Sequence, residues 1–347
     1  MLQTVKNGCL KQNMEKNKYS CLSRKEESMS EKARKGCEIL LHTCGEVKKG
    51  ERVLVITDDT SHEIGEVMYE CAAAYTDATL VRMPDRSTHG EAPTDAIAAA
   101  MKEADVIYGA TTFSLYNSEA RIEACEKGAR FVNMADYSMV MLEEGCLFTD
   151  WGEIRKIVDD LKTRIVGKFL TIKTPAGTDF ATSIEGRHAD TGYGVSREKG
   201  EASSPPDAEC AVGPADDSAE GTLVIDGSIP LPGLGVLKEP ITLKVEKGYI
   251  TSITGGKEAD ILRDTLAGFH DKRVYLAAEV GFGLNPAGTL SGRMLEDEGV
   301  MGTMHIGIGN NLSYGGTCNT PVHIDLIMKK PTCHVDGKCV IKDGVLQ

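Results

Sequence analysis

The chain has 347 residues, 41% of them hydrophobic and 26% charged, which is the mix of a folded protein and excludes wholesale disorder. Its net charge of −13, from 39 Lys and Arg against 52 Asp and Glu, argues against nucleic acid as the main partner, because phosphate recognition needs a basic surface. No stretch approaches the ~18 consecutive apolar residues of a membrane span, and the polar opening lacks the apolar core of a secretory signal; a cytoplasmic protein without a membrane partner is expected.

Residues 1–36 hold nine Lys and Arg against four Asp and Glu and read as a basic, solvated extension. Residues 37–165 read as an α/β domain. Strands are predicted at 52–56, 78–83, 105–108 and 130–134, and helices at 61–75, 92–103 and 117–127, with Ile64, Val67, Met68 and Cys71 at helical spacing. Strands alternating with helices imply a parallel sheet covered by helices. The turn after the first strand, 58–62, contains neither a dinucleotide nor a P-loop glycine pattern, so this half is not expected to bind a nucleotide. An amphipathic helix over 151–164 leads out of the domain.

Residues 166–347 change grammar and read as a mostly-β (α+β) domain. Strands are predicted at 169–174, 222–226, 240–246, 249–253, 274–284, 303–309 and 321–329, with a hairpin turning at Lys247–Gly248. Residues 190–220, rich in Gly, Ser, Pro and Asp, read as one long irregular segment. The chain has eleven cysteines and no Cys-x-x-Cys; without an export signal they are expected as reduced thiols. Cys333 and Cys339 flank His334 in a metal-like spacing, but two thiols on a C-terminal hairpin account for them more simply. His188, Arg187 and His270 lie near the chemistry-bearing segments with no role assigned.

Three of the predicted strands share one design. Alternation places Glu279 on one face with Gly281 and Gly283, His305 with Gly307 and Gly309, and His323 with Asp325. The opposite faces are apolar. Acids and imidazoles whose neighbours are glycines leave a roomy polar hollow. Carboxylate and neutral imidazole are the usual oxygen and nitrogen ligands of divalent transition metals, and His-x-Asp sets two of them about 7 Å apart along one strand.

Five motifs carry a resemblance over roughly residues 45–345. They are Glu-Cys-Ala-Val-Gly-Pro (209–214), Ser-Ala-Glu-Gly-Thr-Leu-Val-Ile-Asp (218–226), Ala-Glu-Val-Gly-Phe-Gly-Leu-Asn-Pro (278–286), the segment 296–309, and Thr-Pro-Val-His-Ile-Asp (320–325). The chain resembles the leucyl aminopeptidases of the aminopeptidase T and S type, two-metal exopeptidases. It also resembles 2,5-dihydroxypyridine 5,6-dioxygenase, a mononuclear iron enzyme. The peptidase resemblance implies metal ligands at Glu209, Glu279, His305, His323 and Asp325, zinc, manganese or cobalt as one or two ions, and a homodimer. It also implies a catalytic Tyr seven positions after His305; that position is Leu312, and Tyr314, two further on, is the candidate. The dioxygenase resemblance implies Fe(II) held by two His and one Asp, of which His323 and Asp325 match while the third His falls on Glu279.

The sequence thus leads first to a metal-dependent aminopeptidase-like hydrolase, in which metal-bound hydroxide attacks an amide carbonyl of a short peptide or aminoacyl substrate. Second comes a ring-cleaving dioxygenase acting on a hydroxylated pyridine or similar aromatic. A non-catalytic metal- or small-molecule-binding protein is third, disfavoured by the complete set of five ligands.

Overall fold

Strand runs that are apolar on successive residues need cover on both faces, and the first half supplies it. The computed structural model describes residues 29–347. Strands β1 (Arg52–Asp58), β2 (Asp77–Met83), β3 (Val106–Ala110) and β4 (Arg130–Asn133) lie parallel in the order β2–β1–β3–β4. Helix α1 (Glu31–Ile39) precedes them; α2 (His62–Tyr75), α3 (Asp95–Met101) and α4 (Glu119–Glu126) connect them. Ile56, Ile107, Phe131, Met101 and Leu115 are fully buried between these layers. Helix α3 starts later than its Ala-rich pattern predicts because Pro93 disfavours helical backbone at the residue before it. Residues 1–28 of the expected basic extension lie outside the described residues. Its last part belongs to α1, where Glu31, Lys32, Arg34 and Lys35 are exposed while Ala33 and Gly36 are buried.

Helix α5 (Trp151–Arg164), capped by the Asp150 carboxylate on the amides of Gly152 and Glu153, leads into two large antiparallel sheets and a two-stranded one, Ser228–Ile229 with Gly235–Val236. The larger has eight strands, running in sequence from Phe169–Lys173 to Val345–Leu346. The predicted hairpin is in it, with Lys247 at φ 48° and Gly248 at φ 81°, the paired left-handed conformations of a type I′ turn. Cys333 and Cys339 sit on its C-terminal hairpin (Thr332–Val335 and Lys338–Lys342), and no disulfide joins cysteines among the described residues. Helix α6 (Lys257–Gly268) was not expected; it buries only Ala259, Leu262 and Leu266. Among the described residues no helix is long and apolar enough to cross a membrane.

The smaller of the two large sheets has five strands. β5 (Glu209–Val212), β6 (Ala277–Gly283), β7 (Thr303–Gly309) and β8 (His323–Lys329) run in the order β8–β7–β6–β5, and Ala189–Gly192 closes the edge next to β5. The segment 190–220 is therefore not one irregular loop. It contains Ala189–Gly192, Ala202–Ser203 and β5, and Ala202–Ser203 pairs in parallel with β4 of the first sheet. Strands of two to four residues are too short to show a period, which hid them in the sequence.

A candidate metal centre on the five-stranded sheet

The cross-strand register gathers the ligands. Glu279 lies opposite Gly307, and Gly307 opposite Asp325; Gly281 lies opposite His305, Gly309 opposite His323, and Gly283 opposite Glu209. The two-residue period then puts all five polar side chains on one face of the sheet. The other face is apolar: Val280, Phe282, Met304, Ile306, Ile308, Leu326 and Met328 are fully buried. Glu209 is placed by β5, whose Cys210, Ala211 and Val212 are buried, rather than by the irregular segment that the sequence suggested.

The glycines shape the hollow. A β-carbon at Gly281 would overlap the His305 ring, and one at Gly307 would lie 2.5 Å from Nε2 of His323 and 2.8 Å from Oε2 of Glu279. The predicted polar-plus-glycine face thus has a steric cause: the imidazoles occupy the space that side chains at 281 and 307 would fill.

The ligand atoms fall into two sets that share Glu279. In the first, Nε2 of His323 lies 2.8 Å from Oε2 of Glu279 and 3.3 Å from Oδ1 of Asp325. In the second, Nε2 of His305 lies 3.2 Å from Oε2 of Glu209 and 3.5 Å from Oε1 of Glu279. Within each set one atom per residue is within 4.8 Å of the others. Nδ1 of His323 lies 2.7 Å from the Asn310 carbonyl. A carbonyl only accepts, so Nδ1 carries a hydrogen, and in the neutral ring the lone pair of Nε2 faces two carboxylates. A cation between them, proton or metal, removes that repulsion. Oε2 of Glu209, Oε1 of Glu279, Oδ1 of Asp325 and Nδ1 of His305 are buried without a hydrogen-bond partner. Orphaned buried donors and acceptors of this kind fit a metal site.

The electrostatics agree. Burial alone would raise the Glu279 and Asp325 carboxyls, but the two imidazoles outweigh it and hold both below the ordinary carboxylate range. Burial would lower His305 and His323, yet the facing carboxylates raise both well above the usual imidazole value. Glu209 is pushed up to about 7, first by burial and then by the charge of Glu279. The leading charges on these groups are one another, with no Lys or Arg among them. A buried cluster with this balance is suited to a divalent cation. Cys333, His334 and Cys339 do not come together as such a set among the described residues.

Tyr314 reaches the site despite its two-residue offset. A short 3-10 turn, Leu312–Tyr314, ends at Gly315 with φ 76°. The Tyr314 ring lies 5.6 Å from that of His323, and burial, followed by the charge of Glu279, pushes its hydroxyl well above the ordinary phenol value. Leu312, at the position the spacing pointed to, is exposed.

Three groups at the site escaped sequence reasoning. The Glu298 carboxyl is raised by burial and then by Asp325, to which it hydrogen-bonds; its place inside the 296–309 motif was the available signal. Asp207, also raised by burial and then by Glu209, is two residues before a ligand. His89, from the loop after β2, feels the charges of Asp325 and His323, and its Nδ1 accepts from the Ser114 amide at 3.1 Å. No local pattern marks His89, because its relation to the site is purely tertiary.

An α/β layer followed by antiparallel sheets is an aminopeptidase-T-like fold. Residues 34–347 match the family model NicX, described as 2,5-dihydroxypyridine 5,6-dioxygenase, and the chain belongs to that family. It is 36% identical over 185 residues to the 2,5-dihydroxypyridine 5,6-dioxygenase of Pseudomonas putida, an alignment covering 50% of this chain and 53% of that protein. The chain thus spans about half the length of the curated relative it matches. The solved structure of 2,5-dihydroxypyridine dioxygenase from Pseudomonas putida superposes with a TM-score of 0.76 at 26% identity, covering 91% of this chain and 96% of that one. Wild-type AmpT from Thermus thermophilus superposes with a TM-score of 0.66 at 16% identity, covering 92% and 100%, a likeness of fold alone. The order of readings expected from the sequence, hydrolase before oxygenase, is reversed by these findings.

Proposed function

We propose that this protein is a metal-dependent oxygenase that opens the ring of a small hydroxylated aromatic, with one Fe(II) held by Glu279, His323 and Asp325. The observation that carries this reading is the family match over 34–347, which spans a three-ligand set of one imidazole and two carboxylates on adjoining strands. Three ligands on one side of an ion leave its other positions open, the arrangement of non-haem iron oxygenases. Glu279 in place of a second imidazole makes the set harder and more anionic, which still suits a divalent first-row ion. Bound iron would supply the redox chemistry of ring opening. The chain's own residues do the rest. The Asn310 carbonyl fixes the His323 ring, Glu298 hydrogen-bonds Asp325, the Tyr314 ring lies beside His323, and Gly281 and Gly307 make room for the two imidazoles.

A second reading rests on one further observation, the second ligand set Glu209, Glu279 and His305, joined to the first through Glu279. Two ions sharing a carboxylate suit hydrolysis of an amide, and a homodimeric aminopeptidase-like hydrolase is the corresponding proposal. One experiment separates the two. Protein purified anaerobically is analysed for metal and assayed both for oxygen uptake with 2,5-dihydroxypyridine and for hydrolysis of aminoacyl amides. One iron per chain with oxygen uptake supports the oxygenase. Two zinc, manganese or cobalt ions with amide hydrolysis and no oxygen uptake overturns it.

A further inference from the structure

We propose that Arg187 is the positioning residue that holds Tyr314 beside His323 on the ligand face. This rests on the reading of the glycine-lined face as the reaction centre. Tyr314 is carried on an exposed loop, 310–322, that no strand pairing holds in place. Three features fasten it. The Asn311 side chain accepts from the Cys318 amide at 2.8 Å, closing the loop on itself. Gly213, just past β5, lets the Tyr314 backbone approach, since a β-carbon there would lie 2.5 Å from the Tyr314 carbonyl oxygen and 2.9 Å from its β-carbon. The third is Arg187, on the connection between Asp179–Ser183 and Ala189–Gly192. Its Nη1 donates to the carbonyl of Gly315, the residue next to Tyr314, and its Nη2 donates to Asp216 at 2.8 Å.

The Arg187 side chain is only 13% exposed although Asp216 is 64% exposed, so the guanidinium is packed under the loop rather than waving in solvent. Gly315 fits this contact twice over. Its φ of 76° is one that a side chain disfavours, and a β-carbon there would sit 3.4 Å from Nη1 of Arg187. One planar fork therefore bridges the loop to Asp216, on the segment just after β5. A lysine, a single point charge, reproduces only part of that geometry. Arg187 itself makes no contact with the ligand set; it acts through Tyr314.

The test is a double-mutant cycle on the full chain with R187M, R187K, Y314F and R187M/Y314F. Hydrogen exchange over 310–318 is measured in the metal-free protein, the visible absorption spectrum in the Co(II)-loaded protein, and turnover in the iron-loaded protein. R187M is expected to lose exchange protection in 310–318, shift the cobalt spectrum as Y314F does, and lower kcat about 10-fold with KM little changed. R187K is expected to recover part of each. In the Y314F background R187M should add nothing to the spectrum or to kcat. Unchanged exchange in R187M, or an effect that persists in full without the Tyr314 hydroxyl, overturns the proposal. If no substrate of either class turns over in wild type, the functional reading fails, while exchange and the cobalt spectrum still decide the role of Arg187.

Discussion

The parallel sheet and the antiparallel sheet that carries the candidate metal centre are both buried, and for opposite reasons. In the first, burial is favourable by itself: Val55, Ile56, Ile107 and Phe131 are almost wholly enclosed apolar groups. Its buried acid, Asp58, is satisfied at the strand end by the Ser61 and Thr112 amides and the Thr112 hydroxyl. In the second, one face encloses Glu279, His305 and Asp325 at 5% exposure or less, with four polar atoms of the candidate ligand residues unpaired. Burial there costs free energy that a bound cation offsets. The difference teaches where to look for function: a fully satisfied buried acid is structural, and an unsatisfied cluster is waiting for a ligand.

The largest effect that would sharpen this contrast is on activity. Glu279→Ala removes the residue common to both ligand sets, so metal content should fall and turnover drop by about 10³-fold or more, while circular dichroism stays native. Full activity in this variant would break the assignment. On the other sheet, Phe131→Ala should cost about 3–5 kcal/mol of stability through a cavity, read by denaturant unfolding, without changing metal stoichiometry. Gly307→Ala pushes a methyl against His323 and Glu279 and should weaken metal binding about 10–100-fold, read by competition with a chelator. The smallest effect has the opposite sign. Glu209 has its carboxyl raised from 4.5 to about 7, so its ionisation weakens the metal-free fold as pH rises from 4.5 through 7. Metal-free Glu209→Gln should therefore be more stable than wild type by about 1–2 kcal/mol at pH 8, discounted for partial exposure. That gain should fade as pH falls through 7 and vanish near 4.5. A destabilised Gln variant at pH 8 would mean that the cluster is satisfied without metal.

What the sequence revealed follows the same division. Period alone located α2 through Ile64, Met68 and Cys71, and the strands β6, β7 and β8 through their alternating faces, because long repeats report burial. Glu279, His305, His323 and Asp325 were legible since glycine beside a buried polar residue is an unusual strand pattern. Glu209 was not legible from period: β5 has four residues, and its place follows from pairing with a strand some seventy residues later in the chain. Helix α6 went unseen because its apolar stripe is so sparse. Tyr314 was found only by counting from His305, and what brings it beside His323 is the turn that ends at Gly315, which counting does not register. His89 and Arg187 act across the fold, through contacts that no local window contains.

The pairing of Ala202–Ser203 with β4 has a mechanical side. The chain leaves the metal-bearing sheet at Ala189–Gly192, crosses to the parallel sheet, and returns six residues later at Glu209. Six residues span at most about 20 Å when fully extended, so Glu209 hangs on a short tether whose far end is bonded to Phe131 and Val132. The tether is held along its length, since the Asn285 side chain, just past β6, donates to the Pro206 carbonyl at 3.0 Å and the Leu284 amide donates to the Ala208 carbonyl at 2.8 Å. Glu209 is thus the candidate ligand whose strand is joined within six residues to the parallel sheet.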